Sequence, residues 1–369
     1  MKVRLIELRI VEMKLKEEFE TSFGKTLLRP CIIVRIICDD VEGWAEIPVE
    51  YGPWYSYETV KTAWHILEDY IIPWTLGREL ESPREFPNIV KGIRGHNMAK
   101  AGVEMALWDC YARLQSKPLY EVLGGVRDRI VSGVSIGIKR TVDELINVIQ
   151  RRLDEGYPRI KIKIKPGWDV EVVERIRREY PDIMLQVDAN AAYTLNDLET
   201  LRKLDDYNLL MIEQPLDYND LIDHSYLQKL IKTDICLDES IKCLEDAVRA
   251  YRIGSCRVVN IKPARVGGHT TSIEIQKFWM QHGLGVWIGG MLETGIGRAH
   301  NVALASLPGV IYPSDISASN RYWEKDIVEP EFMLNNDGTI DVPKKPGIGV
   351  EVLEKELEKH TRRIKIYRG

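Results

Sequence analysis

Five stretches of the chain share one plan: a short apolar run that ends in an ionisable residue, followed by a helical pattern. "RIKIK" ends at Lys163, "LQVD" at Asp188, "LMIE" at Glu213, "ICLD" at Asp238 and "VVNIK" at Lys262. The steps between these residues are 25, 25, 25 and 24. "RIVSGVSIGI" precedes the series, and "GVWIGG" and "GVIYPSD" follow it. Eight strands with helices between them predict an α/β fold, a TIM-type barrel of parallel strands.

The chain before the barrel reads differently. "VRLIELRIVEMKL" and "CIIVRIICDDVEGWAEI" have the look of antiparallel strands, the second turning at "DDVEGW". "NMAKAGVEMALWDCYARLQ", rich in Ala, Leu and Met, predicts a helix. After the barrel, "NNDGTIDVPKKPGIGVEV…RRIKIYRG" is turn-rich and closes on a strand-like stretch. The expected organisation is an α+β capping domain over residues 1–125, a catalytic barrel over 126–335 and a segment, 336–369, returning to the cap.

Composition narrows the function classes. A net charge of -5 gives no reason to expect nucleic-acid binding. No apolar run reaches the roughly 20 residues of a membrane span, and the opening residues alternate apolar and charged rather than forming a signal peptide. Six cysteines form no CxxC pair, and most lie in apolar surroundings such as "RPCIIVRIIC". They predict reduced thiols in a cytoplasmic protein. Seven scattered histidines argue against a His-built zinc site.

In a TIM barrel the active site lies at the C-terminal ends of the strands. Asp188, Glu213 and Asp238 end three consecutive strands. Three carboxylates brought together without counter-charge call for raised pKa values or a bound cation. An all-oxygen set favours Mg²⁺ first and Mn²⁺ second, with another divalent ion as a further option. Lys163 and Lys262, on strands two and six of eight, face each other across the barrel. That suits proton transfer on both faces of one carbon α to a carboxylate. "RIKIKIK" alone allows an edge strand with a solvated lysine face. The barrel reverses that reading, sending Ile160, Ile162 and Ile164 to the outer helices and Lys161 and Lys163 inward. Lys161, a like charge two residues away, is positioned to lower the pKa of Lys163. Lys165 is expected to be solvated.

"KIKIKPGWD", "QVDAN", "IEQPL", "CLDES", "NIKPARVGG", "GGMLETGIGR" and "PSDIS" together resemble the enolase superfamily. The likeness is to its muconate-lactonizing subgroup, and within it to the o-succinylbenzoate synthase and N-succinylamino acid (N-acylamino acid) racemase family. It extends over essentially the whole chain and implies a (β/α)7β barrel. It implies that Asp188, Glu213 and Asp238 ligate Mg²⁺, that Lys163 and Lys262 are the acid/base pair, and that Lys161, Asn190, Glu239 and Arg265 support them. Cap loops near Phe19 to Phe23 and Gly52 to Tyr57 would close over the barrel mouth. Phe19, Phe23, Tyr55, Ser135 and Met291 are the candidate substrate contacts. A small carboxylate substrate, a homo-oligomer and a role in menaquinone biosynthesis are further implications.

Four functions stay open at this level. The first is dehydration to o-succinylbenzoate, racemisation of N-succinylamino acids, or both. The second is muconate-type cycloisomerisation by the same machinery under a different cap. The third is dipeptide epimerisation, for which the subgroup's D-x-D is replaced here by Asp315-Ile316-Ser317. The fourth is a non-catalytic barrel, against which the full set of lysines and carboxylates stands.

Overall fold

The computed structural model describes residues 1–22 and 24–369, so Phe23 lies outside the described residues. Strands β1 (Val3–Thr21), β2 (Gly24–Cys38) and β3 (Val41–Ile47) form an antiparallel meander. The C-terminal strand Thr361–Arg368 adds to the free side of β1. Helix α1 (Asn97–Leu114) lies on this sheet with small residues at the contact. A Cβ on Gly43 of β3 would sit 2.2 Å from Ala106 O, so only glycine lets the helix backbone come this close. The same contact is tied by Trp44 N, which donates to Asp109 Oδ2 at 2.9 Å.

Seven parallel strands follow: β4 (Gly133–Ile136), β5 (Arg159–Lys163), β6 (Met184–Asp188), β7 (Ile212–Glu213), β8 (Ile235–Leu237), β9 (Val258–Ile261) and β10 (Val286–Ile288). The expected eighth strand, "GVIYPSD", is not a regular strand. It joins the barrel through two isolated parallel bridges, Val286 with Val310 and Ser132 with Ser314. Pro313 lacks the N–H that a continuous ladder requires there. Closure is still made on both sides: Asp315 N donates to Ile288 O at 2.9 Å, and Gly133 N donates to Ser314 O at 2.7 Å.

Ile160, Ile162 and Ile164 are fully buried in the core between barrel and helices, worth about 2 kcal/mol each. The opposite parity points into the barrel. Met211, Cys236, Val258 and Trp287 form a separate apolar plug at its base. Side chains two residues further along each strand face the same way. Glu213 therefore follows Met211, Asp238 follows Cys236, and Asn260 then Lys262 follow Val258 above the plug. Helix α2 (Val142–Asp154) covers the outside with Leu145, Val148 and Ile149 buried. Among the described residues no helix is long and apolar enough to cross a membrane.

Candidate active site

A cavity of about 690 Å³ opens at the C-terminal ends of the strands, under the cap. Lys161 and Lys163 reach it from β5, Asn190 from the loop after β6 and Lys262 from the end of β9. Phe19 and Tyr55 descend from the cap, and Ser135, Met291, Asp315 and Tyr322 complete the wall. Ser135, on the cavity wall, has a buried Oγ without a hydrogen-bond partner among the described residues.

The register explains the convergence. Lys163 pairs with Asp188, and Asp188 with Glu213, across adjacent strands. Lys163 Nζ donates to Asp188 Oδ2 at 2.6 Å and to Asn190 Oδ1 at 2.8 Å. Lys161 Nζ donates to Glu213 Oε2 at 2.9 Å and lies 3.2 Å from Asp188 Oδ2. Its charge is thus engaged by carboxylates rather than aimed at Lys163, as the sequence reading had it. Lys262 Nζ donates to Asp238 Oδ2 at 2.9 Å and stands 4.4 Å from the centre of the Tyr55 ring. Arg265 donates to Asp238 Oδ1, and Tyr55 OH donates to the same oxygen at 3.1 Å. Lys165 is half-buried instead of solvated, because its backbone bridges to Trp168 and folds the segment back.

Charge in the cluster is closely balanced. Burial acts to lower Lys161, but Asp315, Glu213 and Asp188 outweigh it and hold the amine above its usual range. Lys262 is raised too: Tyr55, Glu239, Glu213 and Asp188 overcome the effect of burial. Asp188 is held low against burial by Lys163 and Lys161. Glu213 and Glu239 go the other way, pushed up first by burial and then by the charge on Asp188.

Among the described residues, no group of three or more His, Cys, Asp or Glu side chains is gathered in ligating geometry, since the chain's own cations engage these oxygens. The donor chemistry nonetheless fits a hard divalent ion. Asp188, Glu213 and Asp238 are all-oxygen donors, at most 1% exposed, on neighbouring strands. Glu239 Oε2 is buried there with no hydrogen-bond partner among the described residues, an acceptor that a cation would meet.

Sequence reasoning missed several members of the site. Gln186 Nε2 and Asn260 Nδ2 donate to the two oxygens of Glu213, at 2.9 and 2.7 Å. Both stand two residues before a predicted site residue, so strand parity would have found them. Asp315 pairs with Lys161 at 2.5 Å, and no local pattern signals that.

Fold and site together define a barrel enzyme of the enolase class. The Mandelate racemase / muconate lactonizing enzyme N-terminal domain matches residues 5–124, and the Enolase C-terminal domain-like family matches residues 144–356. The chain belongs to the enolase superfamily. It is 48% identical to an o-succinylbenzoate synthase of Geobacillus kaustophilus, over 99% of this chain and 97% of that protein. It is 46% identical to an N-succinylamino acid racemase of Thermus thermophilus, over 95% of each. A crystal structure of an enolase superfamily member from Listeria innocua superposes with a TM-score of 0.96 at 39% identity, covering 99% of both chains.

Proposed function

We propose that this chain is a Mg²⁺-dependent enzyme that removes the proton α to a substrate carboxylate, forming o-succinylbenzoate by dehydration, racemising N-succinylamino acids, or both. The observation that carries this reading is the pair Lys163 and Lys262. They come from strands well separated around the barrel, are 7% and 8% exposed, and line one cavity. A carbon held between two such amines can lose its proton to one and regain it from the other.

Bound by Asp188, Glu213 and Asp238, Mg²⁺ or Mn²⁺ would supply Lewis-acid charge at the substrate carboxylate. The chain's residues do the rest. Lys163, in its neutral form, takes the α-proton, and the bonding pair moves into the carboxylate as an enediolate. In dehydration the hydroxyl on the adjacent carbon leaves as water with that proton, while Lys262 stays cationic beside the developing charge. In racemisation Lys262 delivers a proton to the opposite face. Asn190 holds Lys163 by hydrogen bond, and Arg265 holds the Asp238 that Lys262 engages. Phe19, Tyr55 and Met291 exclude water from the cavity, with Ser135 as a polar contact. Residues 1–125 and 336–369 form the cap and 126–335 the barrel.

Asp315 pairs with both Lys161 and Arg159, which leaves it uncommitted to a substrate ammonium, and Ser317 stands where a second acid would be needed. That disfavours dipeptide epimerisation. Six free thiols fit a reducing, cytoplasmic setting. Exposed Leu27, Leu28, Tyr51 and Trp54 at the cap rim support a homo-oligomer.

The test is steady-state kinetics on the dehydration substrate and on N-succinylamino acids, with Mg²⁺ and after chelation. Both activities should vanish with the metal and return on its addition. Failure of both reactions in the loaded enzyme would sink the proposal, and turnover of only one would assign the physiological role.

A further inference from the structure

A second cavity, of about 1070 Å³, shares no lining residue with the catalytic pocket. It lies where β1, α2 and the segment after the eighth strand meet. Three guanidinium groups converge there on one carboxylate. Glu17 accepts from Arg151 Nη1 and from Arg152 Nη2, each at 3.2 Å, and Arg321 Nη1 stands 3.6 Å away. Arg152 is further satisfied by Glu155, through Nη1 at 2.6 and 2.8 Å.

Arg321 is not so served. It is 9% exposed, and Glu17 is its one ion-pair partner among the described residues. Among the described residues, the Nε atoms of Arg321 and Arg152 are both buried without a hydrogen-bond partner. Burial first, and then the neighbouring charge of Arg152, draw the Arg321 guanidinium below its usual range, and Tyr322, Glu17 and Tyr157 do not offset them. A buried cation with a shared counter-charge is unfavourable unless something anionic meets it. Lys16 and Glu324 stand exposed at the rim. Four basic and three acidic side chains line the cavity, an excess of one positive charge.

We propose that this cavity is a second, non-catalytic binding site for a small oxyanion, free phosphate or a dicarboxylate, held by the guanidinium groups of Arg321 and Arg152. The planar fork of arginine suits both kinds of anion. Glu17 competes with the ligand for the same donors, so the carboxylate that builds the site also limits its affinity.

The experiment is calorimetric titration of the Mg²⁺-loaded enzyme with inorganic phosphate and, separately, with succinate, at constant ionic strength. One of the two should bind in the millimolar range or tighter, and the tighter one names the ligand class. Arg321→Met should weaken that binding at least about tenfold, and Glu17→Gln, which removes the competing charge, should tighten it about tenfold. Lys262→Met should leave it unchanged, which separates this cavity from the catalytic one. No heat from either anion overturns the proposal. So does binding that survives Arg321→Met but is lost in Lys262→Met. If Arg321→Met does not fold, Glu17→Gln decides, and unchanged or weaker binding in that variant overturns the site.

Discussion

Lys161 Nζ lies 2.5 Å from Asp315 Oδ2, across the seam where the barrel closes. Arg159, two residues earlier on the same strand, is ion-paired to the other oxygen at 2.5 Å. The Trp287 ring lies beneath both cations, 5.3 Å from the Arg159 guanidinium and 4.9 Å from Lys161 Nζ. Burial opposes ionisation of Asp315, yet Arg159 and Lys161 bring its carboxyl down to about 2. The irregular eighth segment is thus locked to β5 by charge, while its backbone bonds run to β10 and to the chain at β4. It draws Lys161 toward the seam, while Lys163 stays beside Asn190.

Asp315→Asn is therefore expected to leave two buried cations short of a counter-charge. The cost should be about 3 kcal/mol, read as a lower midpoint in thermal unfolding. The kcat should fall as well, since Lys161 is freed to shift. A variant with unchanged midpoint and unchanged kcat would show that the pair contributes nothing.

The two lysines should be separable by stereochemistry. In D₂O with Mg²⁺, Lys163→Ala is expected to lose α-proton exchange from one enantiomer of an N-succinylamino acid and Lys262→Ala from the other. Each loss should be about 10³-fold, in the range of general acid–base effects. Proton NMR of the recovered substrate checks this. Equal loss for both enantiomers in either variant would contradict the two-face assignment.

Arg29 offers a test of how the cap shapes the cavity. Its buried guanidinium donates to Met291 O at 3.0 Å, Val49 O at 2.9 Å and Pro48 O at 2.6 Å. One side chain so joins the loop after β10 to the start of the cap segment that carries Tyr55. Arg29→Met is expected to raise KM about tenfold while changing kcat less, because it loosens substrate contacts without touching the lysines. A kcat loss with unchanged KM would point to a different role.

Glu46 sets a pH dependence outside the catalytic cluster. Burial first, and then Glu293, push its carboxyl from 4.5 up to about 7, although Thr294 and Arg29 favour the charged form. Its Oε1 is buried without a hydrogen-bond partner among the described residues. The folded state thus holds this proton more tightly than the unfolded state. The resulting stabilisation is full below about pH 4.5, declines as pH rises toward about 7 and is absent above. Glu46→Gln keeps the acceptor for Thr294 but cannot titrate. The difference in unfolding midpoint between wild type and variant should change across that window and be flat above it; a flat difference throughout would refute the assignment.

Much of the fold is legible because strand periodicity is local. In "RIKIKIK", alternation alone sends the isoleucines and lysines to opposite faces, and the 25-residue interval carries the barrel. The same parity would have found Gln186 and Asn260 beside Glu213. It also misjudged two points. The eighth strand reads as regular, but Pro313 interrupts its ladder. Lys161 reads as a charge acting on Lys163, yet its amine is taken up by carboxylates on three other segments.

By itself, then, the sequence determined the order of strands and helices, which face of each strand turns inward, and which chemical groups end up at the barrel mouth. Those follow from backbone geometry and from the cost of exposing apolar side chains. Only the tertiary structure decided which partners those groups take. Asp315 meets Lys161 because a barrel must close. Arg29 meets Met291, and Tyr55 meets Lys262, because a cap sheet packs over the barrel mouth. Contacts of this kind join segments hundreds of residues apart, and no local period records them.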